Sequence, residues 1–81
     1  MMVHIKMFAV ARQLAGCEVA KVQLPPDANV AKLREALVAS YPNLSEVSRH
    51  LVFAVNANYA NDDTPIPENG EIACIPPVSG G

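Results

Sequence analysis

One segment of the chain, residues 30–41, has the spacing of an amphipathic α-helix, and this single long helix restricts the folds open to the chain. Its apolar side chains recur on one face, at Val30, Leu33, Ala36 and Leu37. Asn29 is a candidate N-cap, and Pro42 ends the helix because the residue before a proline is driven out of the α region. We therefore predict one main helix whose apolar face packs on β-structure formed by the rest of the chain.

Both flanks of this helix have the patterns of β-strands. Residues 3–8 alternate between apolar and polar side chains, except that the aromatic Phe8 falls on the polar face. The connection over residues 9–17 ends in a turn and is short, which predicts an antiparallel hairpin with the next strand. We expect strands at residues 3–8, 18–24, 51–56, 59–60 and 71–75.

The predicted order of elements is β-β-α-β-β-β, with a short extra helix over residues 44–51. A main helix between the second and third strands, followed by a last strand, fits an α+β β-grasp fold in which a mixed sheet packs on that helix. We assign residues 1–75 to this domain and residues 76–81 to a flexible, extended C-terminal tail. A chain of 81 residues has room for one domain.

The composition narrows the classes of function. Of its residues, 51% are hydrophobic and 17% are charged. A domain this small cannot bury that much apolar surface, so we expect part of the apolar surface to lie at a partner interface. The net charge of −2 and the scattered basic residues argue against nucleic-acid binding. No apolar stretch reaches the roughly 20 residues that span a bilayer, so no membrane association is expected and a cytoplasmic location follows as the default.

The residues that most often bind metals or perform catalysis are isolated. Cys17 and Cys74 form no C-x-x-C pair, and His4 and His50 have no partners at ligand spacing, so we expect no metal site and no bound cofactor. No paired carboxylates, nucleophile triad or phosphate-binding glycine loop is visible, and a self-contained enzyme is not expected.

The last six residues, 76–81, carry the clearest chemical signal. The two prolines cannot donate to a sheet ladder, and six extended residues reach roughly 20 Å. Gly80 and Gly81 have no Cβ, so they fit a narrow channel in another protein. A terminal carboxylate there can attack the α-phosphate of ATP and form an adenylate, from which a sulfur donor displaces AMP to leave a thiocarboxylate. The plain alternative is an inert glycine-containing tail.

Four segments together resemble the small subunit of molybdopterin synthase, a ubiquitin-like sulfur carrier family. Residues 8–16 resemble its Phe-Ala-x-x-Arg-x-Leu-x-Gly signature, and residues 54–56 match a recurring Ala-Val-Asn. Residues 67–73 resemble its acidic turn into the last strand, and residues 75–81 match its terminus. The resemblance spans nearly the whole chain.

The resemblance implies a role in molybdenum cofactor biosynthesis. An adenylating enzyme would activate Gly81 with ATP and magnesium, and a sulfurtransferase would supply the sulfur of the Gly81 thiocarboxylate. The large synthase subunit, in a heterotetramer, would then pass that sulfur to cyclic pyranopterin monophosphate, with two carriers used for each dithiolene. The chain itself would be a non-catalytic, sulfur-donating subunit.

The resemblance also implies which residues meet the large subunit. The tail residues would enter its active site: Pro76, Pro77, Val78, Ser79 and Gly80. Family contact positions fall on Phe8, Tyr59 and Ile75, although packing in the core is the alternative for Tyr59 and Ile75. Arg12 matches a family arginine that would position the loop or a partner carboxylate. The family often has bulkier or aromatic residues at the positions of Cys74 and Ile75.

Three other functions stay open. A carrier that supplies sulfur for thiazole in thiamin synthesis shares the fold and the Gly-Gly end, although such carriers are usually shorter and the Pro-Pro-Val-Ser segment argues against this reading. A ubiquitin-like modifier would use the same adenylate to acylate lysine side chains. A β-grasp binding module with an inert tail would keep its activity after Gly81 is deleted.

Overall fold

The computed structural model describes residues 1–76, which form five strands, two α-helices and two 3-10 turns. The strands are Met2–Met7 (β1), Val19–Gln23 (β2), Val52–Val55 (β3), Asn58–Ala60 (β4) and Ile72–Ile75 (β5). The helices are Ala9–Ala15 (α1) and Val30–Ser40 (α2). The 3-10 turns are Pro42–Leu44 and Ser48–His50.

The five strands form one mixed sheet in the order β2-β1-β5-β3-β4. The central strand, β5, runs parallel to β1, and every other neighbouring pair is antiparallel. Helix α2 lies in the connection between the β1–β2 hairpin and β3, which is the predicted crossover. The α+β β-grasp fold is therefore confirmed. Within residues 1–76, no helix is both long enough and apolar enough to cross a membrane.

The core lies between one face of this sheet and α2. Burial alternates along β1, where Val3, Ile5 and Met7 are buried, and along β2 in the same way. The buried residues of α2 are those of the predicted stripe, namely Val30, Leu33 and Leu37, whereas Ala36 is partly buried. The apolar face of the strands, which repeats every two residues, therefore packs against the apolar face of α2, which repeats every 3.6 residues.

The ends of α2 have the predicted causes. The side-chain carbonyl of Asn29 accepts a hydrogen bond from the Lys32 backbone N–H at 3.0 Å, which satisfies one of the free donors of the first turn. At the other end, the Tyr41 N–H donates to the Leu37 carbonyl at 2.7 Å, and Pro42 begins the following 3-10 turn.

Two local predictions were wrong. The connection over residues 9–17 is not only a turn, because it contains the seven-residue helix α1. That helix ends at Gly16, whose φ of 76° is the left-handed conformation that glycine adopts without a Cβ clash, and whose N–H donates to the Arg12 carbonyl. Residues 44–51 do not form a short α-helix: the first 3-10 turn ends at the buried Leu44, and the second, Ser48–His50, is followed by the buried Leu51.

The Arg34 side chain fastens this irregular segment to α2. Its guanidinium donates to the backbone carbonyls of Ser48 and Leu51 and to the Asp62 carboxylate at 3.0 Å. It also lies 5.1 Å from the centre of the buried Phe53 ring, within the range of a cation–π contact. One side chain thus holds three separate stretches of chain on the sheet's covered side.

Candidate functional site

The sheet face opposite α2, which we call the open face, carries the predicted contact residues. Strand alternation and register assign its members: Met2, His4, Lys6, Val19, Lys21, Gln23, Val52, Ala54, Tyr59, Ala73 and Ile75. Tyr59 belongs to this face because it pairs with Ala54, and it is 78% exposed. Core packing, the alternative for Tyr59, is therefore excluded.

The end of the open face where β1 and β5 finish is apolar. Val52 pairs with Ile75, and the Phe8 N–H donates to the Cys74 carbonyl at 3.2 Å, which keeps Phe8 beside Ile75. Phe8 is 47% exposed and Val52 is 37% exposed, whereas Ile75 is half-buried between them. We call Phe8, Ile75 and Val52 the apolar end. Single exposed apolar side chains are common, but neighbouring ones that form a patch often mark a protein–protein contact.

Phe8 lies at the junction between β1 and α1. It follows the last residue of β1 and is the N-cap residue of α1, with an extended backbone and no side-chain capping bond. Its carbonyl accepts a hydrogen bond from the Arg12 N–H in the first turn of α1. The aromatic ring is therefore held by both β1 and α1 while half of it remains exposed.

Arg12 makes an ion pair within the chain. Its Nη1 lies 3.5 Å from Oε1 of Glu18, and both side chains are largely exposed. Such a pair contributes at most about 1 kcal/mol, but it links α1 to the residue that precedes β2. Together with Lys6, Phe8 and Val19, these two side chains line a shallow pocket of about 230 Å³ at the margin of the open face.

The tail begins at the apolar end. Strand β5 lies between β1 and β3, and it ends at Ile75, next to Phe8 and Val52. The following residue, Pro76, is buried and is the last described residue. The other predicted tail residues lie outside the described part of the chain: Pro77, Val78, Ser79, Gly80 and Gly81. Five residues extend at most about 18 Å, so a protein on the apolar end also lies within reach of residue 81.

The buried Cys74 thiol is poorly suited to carry sulfur. Burial raises the pKa of the Cys74 thiol to about 11, and the nearby Arg34 guanidinium offsets this only in part. A thiol that stays protonated at neutral pH is a poor nucleophile. Cys17 is partly buried and forms no disulfide. Within residues 1–76, no three His, Cys, Asp or Glu side chains are grouped closely enough to bind a metal ion.

The comparison with protein families decides the assignment, because the model of the ThiS family matches residues 5–81. This chain belongs to the ThiS family. A ThiS-family relative from Arabidopsis thaliana, the molybdopterin synthase sulfur carrier subunit, is 34% identical over 98% of this chain and 82% of its own length.

Solved structures resemble this ThiS-family chain over its full length. The crystal structure of SAMP1 from Haloferax volcanii, a small archaeal modifier protein, has a TM-score of 0.86 at 30% identity and covers all of both chains. A chain in the complex of subunits 1 and 2 of molybdopterin-converting factor from Helicobacter pylori has a TM-score of 0.66 at 26% identity, again over all of both chains.

The structure adds residues to the site that the pattern analysis missed. Val52 lies in an apolar run in which both faces are apolar, so alternation does not separate exposed from buried positions. Lys6 and Val19 are neighbours only through the β1–β2 register. The predicted Phe8, Tyr59 and Ile75 do share the open face, whereas Arg12 lies at its margin.

Proposed function

We propose that this protein is the sulfur carrier subunit of a molybdopterin synthase, and that residue 81 carries the sulfur as a thiocarboxylate. The observation that carries the proposal is the full-length similarity to proteins named as that subunit, for which the Arabidopsis thaliana relative aligns over 98% of this chain. The exposed apolar end beside the exit of the tail supports it, since a carrier must bind a partner and present its terminus in one step.

The proposed chemistry has two steps on the chain and one on the acceptor. The Gly81 carboxylate attacks the α-phosphate of ATP, pyrophosphate leaves, and an acyl adenylate forms. A persulfide of a sulfurtransferase system then attacks the acyl carbon and AMP leaves; a thiol cleaves the resulting S–S bond, which yields the thiocarboxylate and a disulfide on the donor. In the synthase, that sulfur passes to cyclic pyranopterin monophosphate and a carboxylate returns.

The catalytic groups for these steps belong to the partners in this proposal. The adenylating enzyme supplies the site for ATP and magnesium, and the large synthase subunit supplies the site for the pterin, with a carrier at each end of a heterotetramer. The carrier contributes a docking surface and a substrate-like terminus. The complex of subunits 1 and 2 from Helicobacter pylori, which contains a chain of similar fold, supports a large-subunit partner.

The docking surface in this proposal is the apolar end together with Tyr59. Phe8, Ile75 and Val52 form a continuous patch across β1, β5 and β3, and Tyr59 stands on β4 of the same face. Aromatic anchors surrounded by smaller apolar side chains are typical of interface centres. A large subunit seated there would receive residues 77–81 directly, since they continue from the patch.

Intact-mass spectrometry tests the proposal. The protein is incubated with ATP, magnesium, an adenylating partner and a sulfur source, and a gain of about 16 Da located at Gly81 marks the exchange of oxygen for sulfur. A variant without Gly81 serves as the control and should gain nothing. An unchanged mass in the intact, folded protein with an active partner contradicts the proposal and favours a binding module with an inert tail.

The same reaction separates the other candidates. A ubiquitin-like modifier would form an amide with a lysine side chain, seen as a heavier conjugate, and the similarity to SAMP1 makes this control necessary. A thiamin-type carrier would form the same thiocarboxylate but would not transfer sulfur with the large synthase subunit. A cytoplasmic location stays a prediction.

A further inference from the structure

A lysine side chain interrupts an otherwise apolar row on the open face, between Val19 and Ala73. Lys6 of β1 pairs with Val19 of β2 on one side and with Ala73 of β5 on the other. The row continues through Ala54 to Tyr59. Lys6 is exposed, and it lies one position before Met7, two before Phe8 of the apolar end. Lys6 and Phe8 line the same pocket at the margin of the open face, so a partner that covers Phe8 also reaches Lys6.

No carboxylate of residues 1–76 lies within 4.0 Å of the Lys6 ammonium. Glu18 shares the pocket with Lys6 but pairs with Arg12 at 3.5 Å. Extending the β1–β5 register places Glu71 beside His4, one row away from Lys6. The pocket at the margin of the open face thus contains two cations and one carboxylate, and its net charge is positive.

We propose that the large subunit places an aspartate or glutamate carboxylate opposite Lys6, so that Lys6 selects the partner surface. This inference rests on the proposed function. Burying an ammonium without a counter-charge is unfavourable enough to cancel most of the gain from burying a few apolar side chains. A partner surface that is apolar throughout would therefore bind poorly. The pocket that Lys6 and Arg12 both line, about 230 Å³ in volume, has room for one carboxylate.

The proposal defines the partner by its chemistry. The matching surface has an apolar centre that seats Phe8 and one acidic side chain displaced from that centre toward β2. An acidic group at this position fixes the rotation of the carrier on its partner, because apolar contacts alone specify orientation weakly. Orientation matters here because residues 77–81 must point into the partner's active site.

Binding of the purified large subunit to three variants tests the proposal by calorimetry at low and high salt. Lys6→Met keeps the apolar stem but removes the charge, and Lys6→Glu reverses the charge. Lys32→Met is the matched control, because Lys32 lies on α2, away from the sheet, and already pairs with Glu35 at 3.7 Å. Thermal melting of each variant establishes that it is folded.

We expect Lys6→Met to weaken binding about tenfold and to reduce its salt dependence, Lys6→Glu to weaken it about a hundredfold, and Lys32→Met to leave it unchanged. Binding by folded Lys6→Met that equals or exceeds that of the unchanged protein overturns the inference, as does equal binding by Lys6→Met and Lys6→Glu. In both cases the proposed function stands. If the unchanged protein does not bind the large subunit, both the inference and the proposed function fail.

Discussion

Truncating Phe8 to alanine measures how much of the partner affinity comes from the apolar end. Phe8 is 47% exposed and lies beside Ile75, where the tail begins. A phenylalanine side chain presents about 200 Å², so roughly 90 Å² of Phe8 remains for a partner to cover. At about 25 cal/mol per Å², that area corresponds to about 2 kcal/mol.

We therefore expect Phe8→Ala to weaken binding of the large subunit about 10- to 30-fold, since alanine keeps the Cβ contact. The assay is calorimetric titration of the large subunit, with the melting temperature of each variant measured in parallel. Met2→Ala is the matched control. Met2 is 50% exposed on the same open face but lies at the opposite end of β1, roughly 20 Å from Phe8.

Two results would refute this reasoning. Unchanged affinity of a folded Phe8→Ala variant would mean that the partner does not cover the apolar end. An equal loss from Met2→Ala would mean that exposed apolar side chains contribute wherever they lie on the sheet, so the geometry of the tail exit would not define the site.

Two further predictions concern the fold. Ala57 has a φ of 69°, a left-handed conformation that costs an alanine about 1 kcal/mol. Ala57→Gly should therefore raise the free energy of unfolding by about 0.5 kcal/mol in urea titrations. A loss of stability as large as that caused by Ala60→Gly in β4 would contradict this. Because burial raises the pKa of Cys74 from 9.0 to about 11, the unfolded chain releases the thiol proton first as pH rises. Stability should thus be full below pH 9 and fall by up to about 2 kcal/mol by pH 11. Cys74→Ala should flatten that slope in urea titrations across this range, and an unchanged slope would refute the assignment.

The pattern of apolar residues predicts the main elements because burial follows it closely. Helix α2 begins at its predicted N-cap, Asn29, and the buried side of β1 is the predicted one. Helix α1 was missed for a physical reason. It is only seven residues long, Ala11 is its one buried residue, and small alanine side chains give little contrast between its faces.

The site was predictable only in part. Alternation places Phe8 on the face away from the core, and the register confirms that position for Tyr59 and Ile75. The exposed Val52 and the isolated charge of Lys6 depend on pairing between strands that are distant in sequence, which one sequence does not specify. The open face is therefore a property of the sheet's register more than of any local motif.

Transfer of sulfur from Gly81 to the pterin is the reaction that defines the proposed carrier. The Gly81 thiocarboxylate form of this protein is mixed with the large subunit and cyclic pyranopterin monophosphate, and both the protein mass and the pterin product are followed. We expect the protein to lose the added mass of about 16 Da, and two carriers to be consumed for each dithiolene formed. A thiocarboxylate that persists in the presence of an active large subunit and its pterin would contradict it.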